Sequence, residues 1–160
     1  MILDNNLLFD PFFTAITVSR SSTNSLDLNI GRDLEPGKDL DLLIMSNLLF
    51  AGGTSINVQF QGAPETALGS GVPGTFATFA ETGALTTAVL NQGNAQNIDV
   101  FSINVPGRVA SGGSLTFPRF LQINYVVTGT YTAGAMGASI LLGDSRDALP
   151  AYNPGVIVNN

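Results

Sequence analysis

The sequence contains no cysteine, no histidine and no tryptophan, and only 11% of its residues are charged, against a usual share of about 25%. Each scarcity excludes something. Without Cys there are no disulfides and no thiolate metal sites. Without His or Cys the usual nucleophilic triads, zinc centres and imidazole bases cannot be assembled. Net charge is −6. The few cations, Arg20, Arg32, Lys38, Arg108, Arg119 and Arg146, are scattered along the chain. No basic run exists to neutralise a row of phosphates, so no nucleic-acid partner is expected. The same scatter leaves no polybasic segment for a membrane surface. The longest mostly apolar run, Leu42 to Ala51, is far short of the ~20 residues that span a bilayer. The segment MILDNNLLFDPFF lacks a basic start, and Asp4 and Asp10 interrupt it, which is unlike a secretory leader. A cytoplasmic origin is the expectation.

Hydrophobic residues make up 44% of the 160, which argues for a packed core. The length fits one domain, residues 1–160, with 1–20 as an N-terminal arm or edge strand and 143–160 as an extended tail. The low charge leaves a neutral polar surface, poorly defended against association. An oligomer or a partner-bound protein is therefore expected.

Alternation of apolar and polar residues dominates the chain. Leu26, Leu28 and Ile30 alternate with Asp27 and Asn29, and Ile56, Val58 and Phe60 alternate with Asn57, Gln59 and Gln61. Leu121, Ile123, Tyr125 and Val127 alternate with Gln122, Asn124 and Val126. This period of two predicts half-buried strands, with Leu121, Ile123, Tyr125 and Val127 on the core face. Leu40 to Met45 is more continuously apolar and predicts a strand covered on both faces. Further strands are expected near 85–90, near 98–105 with an irregularity at Phe101, and over 137–142. Turn chemistry punctuates them at 32–39, 51–55, 91–94, 106–107 and 111–113. The stretch GAPETALGSGVPG, residues 62–74, reads as a long exposed loop, and TGTYTAG, residues 128–134, as a hairpin or bulged strand. The sum is an all-β fold, a jelly-roll-like antiparallel β-sandwich of about eight strands with apolar terminal arms.

Catalytic and metal-binding constellations are thin. Asp39 and Asp41, and Asp33 and Glu35, are spaced i, i+2, but they border a turn beside Arg32 and Lys38. A two-carboxylate hydrolase needs acids across a cleft, one with a raised pKa. Asp144, Ser145 and Asp147 offer oxygens to a cation without a full calcium-loop pattern, and backbone capping is the plainer role. GSGVPG, residues 69–74, lacks the Lys-Ser/Thr end and the helix of a phosphate loop. No catalytic residue, cofactor or metal is assigned. The apolar ends are more suggestive. Leu8, Phe9, Phe12 and Phe13 near the start, and Tyr152, Val156 and Ile157 near the end, either fill the core or dock on a neighbouring subunit.

Five blocks in order carry a resemblance: MILD (1–4), STNSLDLNIGRDLEPGKDLDLLI (22–44), FAGGTSINVQFQ (50–61), FLQINYVVTGTYTAG (120–134) and AYNPG (151–155). Together they resemble the jelly-roll cement, or decoration, proteins of short-tailed phage (podovirus) capsids. In that family the second block corresponds to two core strands and their turn, and the third to a hairpin. The chain departs from the family at DPFFTA, residues 10–15, and in the long loop 62–74. The resemblance implies a non-enzymatic protein on the outer capsid surface of a virion. It implies the major capsid protein as partner, bridged subunit to subunit against internal DNA pressure. It also implies a homo-oligomer, a dimer first and a trimer second. A carbohydrate-binding sandwich is the alternative, although such sites favour exposed aromatics, and the chain has three Tyr and no Trp.

Overall fold

The computed structural model describes residues 7–28, 39–92, 97–104, 109–111, 114–116 and 118–141. Eleven strands are present among them: β1 (Leu8–Ala15), β2 (Arg20–Ser21), β3 (Leu26–Asp27), β4 (Asp39–Ala51), β5 (Ser55–Ala63), β6 (Ala77–Thr86), β7 (Asn97–Asn104), β8 (Val109–Ser111), β9 (Ser114–Thr116), β10 (Phe120–Thr128) and β11 (Ala133–Leu141). The single helix described is one turn, α1 (Thr87–Leu90).

The strands form two sheets with orders β1-β11-β4-β7 and β2-β10-β5-β6, and β3 also pairs with β10. Separately, β8 and β9 pair as a two-stranded sheet beside β5 and β6. The short strands β2 and β3 share one partner and act as a single interrupted edge strand. All pairings are antiparallel. Counted this way, the eight principal strands run first-eighth-third-sixth in one sheet and second-seventh-fourth-fifth in the other. That is the double Greek-key order of a jelly roll.

Alternation explains the packing. Ile56, Val58 and Phe60 of β5 and Leu121, Ile123 and Tyr125 of β10 point inward from one sheet. Leu42, Ile44, Met136, Ala138 and Ile140 meet them from the other. Leu42, Leu43 and Ile44 are all buried, as expected of a strand covered on both faces. Phe9 of β1 belongs to the same core.

Several expectations need correcting. AGGTS and TGTYT do not close hairpins: β4 and β11 lie in one sheet, β5 and β10 in the other. Both segments carry the chain across the sandwich, side by side. Thr54 N donates to Thr128 O (2.9 Å) and Thr132 N to Ala51 O (2.8 Å). Tyr131 is buried beneath them, its ring edge-on to Phe50 at 5.1 Å. Its hydroxyl lies 3.1 Å from Thr87 Oγ1. Residues 87–90 form a helical turn instead of a strand, capped by Thr86, whose Oγ1 accepts from Val89 N. Asn91 does not open a hairpin. Its amide accepts from Phe50 N (2.8 Å) and donates to Phe50 O (2.9 Å), as a neighbouring strand would. β7 pairs with β4 in unbroken register, so no irregularity occurs at Phe101 in that ladder.

Candidate functional site

The loop after β5 is ordered by its own polar groups. Gly74 N donates to Pro64 O (2.7 Å), closing the neck. Thr66 N and Thr66 Oγ1 both donate to Val72 O (3.0 and 2.9 Å). The Glu65 carboxylate sits inside, accepting from Gly71 N (2.6 Å) and Gly69 N (3.1 Å). Gly69 and Gly71 have φ of +80° and +66°, which glycine adopts without steric penalty. A compact loop with close ends, packed by its own side chains, is an Ω-loop, a type frequently functional. The expected long loop is thus present, but it is a folded one.

Arg119, just before β10, fastens this loop to the sandwich. Its Nη1 donates to Glu65 Oε1, and its Nε and Nη2 donate to the two Asp27 oxygens at 2.8 Å each. The bidentate geometry with Asp27 is the strong form of an arginine-carboxylate bond. Bonds from Gly71, Gly69 and Arg119 hold the Glu65 carboxyl below its usual pKa of 4.5, the Gly71 amide contributing most. The Arg119 guanidinium is held fully charged, chiefly by Asp27. An open concavity of about 290 Å³ lies here, lined by Leu28, Glu65, Leu68 and Arg119. Of its lining residues Leu68 is fully exposed (103%).

A second polar cluster ties β1 to the opposite sheet. Asp10 is completely buried. Its Oδ1 accepts from Arg20 Nη2 (3.0 Å), Thr23 N (2.9 Å) and Thr23 Oγ1 (2.7 Å). Arg20 also lies over the Tyr125 ring, 5.3 Å from its centre. Burial, with the Asp10 charge added, pushes the Tyr125 phenol well above its usual value of 10. This cluster is structural, because it has no opening in which a substrate would sit: Asp10 and Tyr125 are both at 0% exposure.

The outer face of the five-stranded sheet is a row of amides. Gln122 donates to Gln61 (2.7 Å), and Gln61 to Thr78 (3.1 Å). Asn124 donates to Gln59 (3.0 Å), while Asn57 donates to Glu81 (2.8 Å). These groups largely satisfy one another. Tyr125 and Tyr131 are both buried, so neither offers a stacking platform for a sugar.

Of the residues expected to dock or fill the core, Phe9 is buried in the core and Leu8 is half-buried in β1. Phe12 and Phe13 lie within β1, and their side chains are outside the description. Tyr152, Val156 and Ile157 fall outside the described residues, as do Asp33, Glu35, Asp144, Ser145 and Asp147. Asp39 and Asp41 lie in β4, again without described side chains. No group of three metal-ligating side chains occurs among the described residues. Sequence reasoning missed the Arg119–Asp27–Glu65 triad, whose members are 54 and 92 positions from Arg119. It missed Asp10 as a core residue too. The only signal was an acid inside an apolar run.

The chain matches the Bbp16 family over residues 13–140. It belongs to the Bbp16 family. The match runs from within β1 into β11, the last strand described. The family carries a phage-type name. A search of curated proteins finds no match.

Proposed function

We propose that this Bbp16-family chain is a non-enzymatic cement protein of a tailed-phage particle. In this reading it is made in the host cytoplasm and binds the outer surface of the capsid. It bridges neighbouring copies of the major capsid protein and stabilises the shell against the pressure of packaged DNA. The observation that carries the reading is the family match over 13–140 on a jelly-roll domain, joined by the resemblance of five blocks to phage cement proteins.

The physical features are compatible. A neutral, amide-rich surface makes modest contacts, and repetition over a shell turns modest contacts into avidity. The proposed contacts with the shell or a second copy are Leu8, Phe12 and Phe13 at one end and Tyr152, Val156 and Ile157 at the other. Phe9 leaves that set because it is inside the sandwich. A homodimer on two-fold axes is the first assembly to test, and a trimer the second.

The test is to add purified protein to mature, expanded shells stripped of their own cement. Saturable co-sedimentation is expected. Replacing Phe12 and Phe13 by Ser should weaken binding about tenfold or more while moving the melting temperature by only a few degrees. If both fall together, these residues belong to the core and not to the contact.

A further inference from the structure

We infer that Leu68, at the corner of the Ω-loop, is an insertion residue that enters an apolar recess on a neighbouring protein, the major capsid protein. The inference deepens the cement reading and rests on it for the identity of that partner.

Among the described residues no other large apolar side chain is as exposed: Leu68 stands at 103% and Val18 comes next at 56%. A tight turn puts it there. Ser70 N donates to Ala67 O (2.9 Å), so Ala67 to Ser70 is a β-turn with Leu68 and Gly69 at its corner. The Gly69 φ of +80° is that of the third residue in a type II turn, where glycine is favoured. The turn stands on a fixed frame. Glu65 accepts from Gly69 N and Gly71 N below it, and Arg119 holds Glu65 to the sandwich. Ser70 Oγ accepts from Val72 N (3.2 Å), and Thr66 donates to Val72 O. No atom lies within 4 Å of the place where a Cβ would stand on Gly69 or Gly71, so the space around both is open. A leucine in this position adds nothing to the core of its own chain. A preorganised contact, however, loses less conformational freedom on binding than a loose one.

The chemistry of the corner selects its occupant. Residues 66–80 carry no charge. Glu65, the one charge of the loop 62–74, is bonded to Gly69, Gly71 and Arg119. The corner therefore presents an aliphatic side chain and no charge to match, and an apolar recess is its complement. A second copy of this chain fits less well. A specific interface needs roughly 1,000 Å² or more of buried surface, and the concavity beside Leu68 is lined by Glu65 and Arg119 as well as Leu28. One leucine is far short of that area. On a shell the same small contact recurs at every site, and repetition supplies what one contact lacks. Burying one leucine is worth roughly ten- to a hundredfold in an equilibrium constant.

Two measurements test this together. Co-sedimentation with cement-stripped, expanded shells compares the natural chain with Leu68→Ser, Leu68→Asp and Leu68→Met. Binding weaker by about tenfold or more is expected for Leu68→Ser, and weaker still for Leu68→Asp. Leu68→Met keeps size and apolarity and should stay within about threefold of the natural chain. All melting temperatures should agree within about two degrees, because the side chain is fully exposed. Replacing Leu68 alone by an aliphatic residue bearing a photoreactive diazirine then maps the contact. Illumination of loaded shells should join it to apolar residues of the major capsid protein. Equal shell binding by the natural chain and Leu68→Ser overturns the inference and spares the cement reading. A crosslink found only to a second copy of this chain does the same. Failure of the natural chain to bind shells at all overturns the cement reading, and the inference with it.

Discussion

Asp10 shows how much one side chain can hold. It is fully buried, yet it joins an edge strand of one sheet to Arg20 and Thr23 beside the other. Removing it leaves Arg20 and the Thr23 amide without their acceptor, and an unmatched buried donor costs more than a bond is worth. Asp10→Ala is expected to cost about 2–3 kcal/mol, or roughly 5–10 °C in melting temperature for a domain of this size. Thermal denaturation checks this. Gly134 is the other sharp point. Its φ is +138°, and a Cβ there would enter the Phe50 ring. Gly134→Ala combines backbone strain with overpacking, and a loss of about 2–4 kcal/mol is expected by chemical denaturation. Neither role was legible in the sequence. An acid in LLFDPFF reads as an interruption of an apolar run, and a Gly in TYTAG as a turn residue. What decides both is a partner brought near by the fold.

At the scale of elements, strands were legible and their partners were not. The period of two in SINVQFQ and FLQINYVV fixed the inward faces, because one side of each strand meets the core. The same period follows whether the next strand pairs alongside or crosses to the opposite sheet. AGGTS reads as a turn and TGTYTAG as a hairpin or bulged strand. Both lead across the sandwich, held together by backbone bonds between Thr54 and Thr128 and between Thr132 and Ala51, and the β11 ladder is irregular at Ala133–Ala135. The segment TAVL, 87–90, has the apolar content of a strand, and a Thr cap with its tertiary setting made it a helical turn. The loop 62–74 was legible as a loop by its glycines and prolines, but not as an ordered one, because the order comes from Glu65 bonding backward and across to Arg119. That bonding makes a pH prediction. The folded pKa of Glu65 lies below 4.5, so its contribution is complete above pH 4.5. It is lost as pH falls through the lowered folded value, because the unfolded chain takes up the proton first. The Gly69 and Gly71 amide resonances should move together in an acid titration with a midpoint below 4.5. In Glu65→Gln that transition should vanish.

At the scale of the whole molecule, the fold class followed from composition and punctuation: short alternating strands spaced by Gly, Pro and Asn turns. The jelly-roll order itself needed the sheet pairings, since first-eighth and second-seventh neighbours lie about a hundred or more residues apart in sequence, Leu8 with Ser139 and Arg20 with Tyr125. Function sat further still from the residues. The blocks that resembled phage cement proteins encode strands and turns, not chemistry. The family match spans residues 13–140 and singles out no site. Under the proposed cement role the chain would have no reason to concentrate reactive groups, and its contacts would fall on loops, ends and outer faces. The most direct measurement is electron microscopy of cement-stripped, expanded shells after incubation with the purified chain. The account predicts ordered jelly-roll density on the outer surface, seated between neighbouring capsid-protein subunits at repeated symmetry positions. Shells that bear no added density at saturating protein would contradict it.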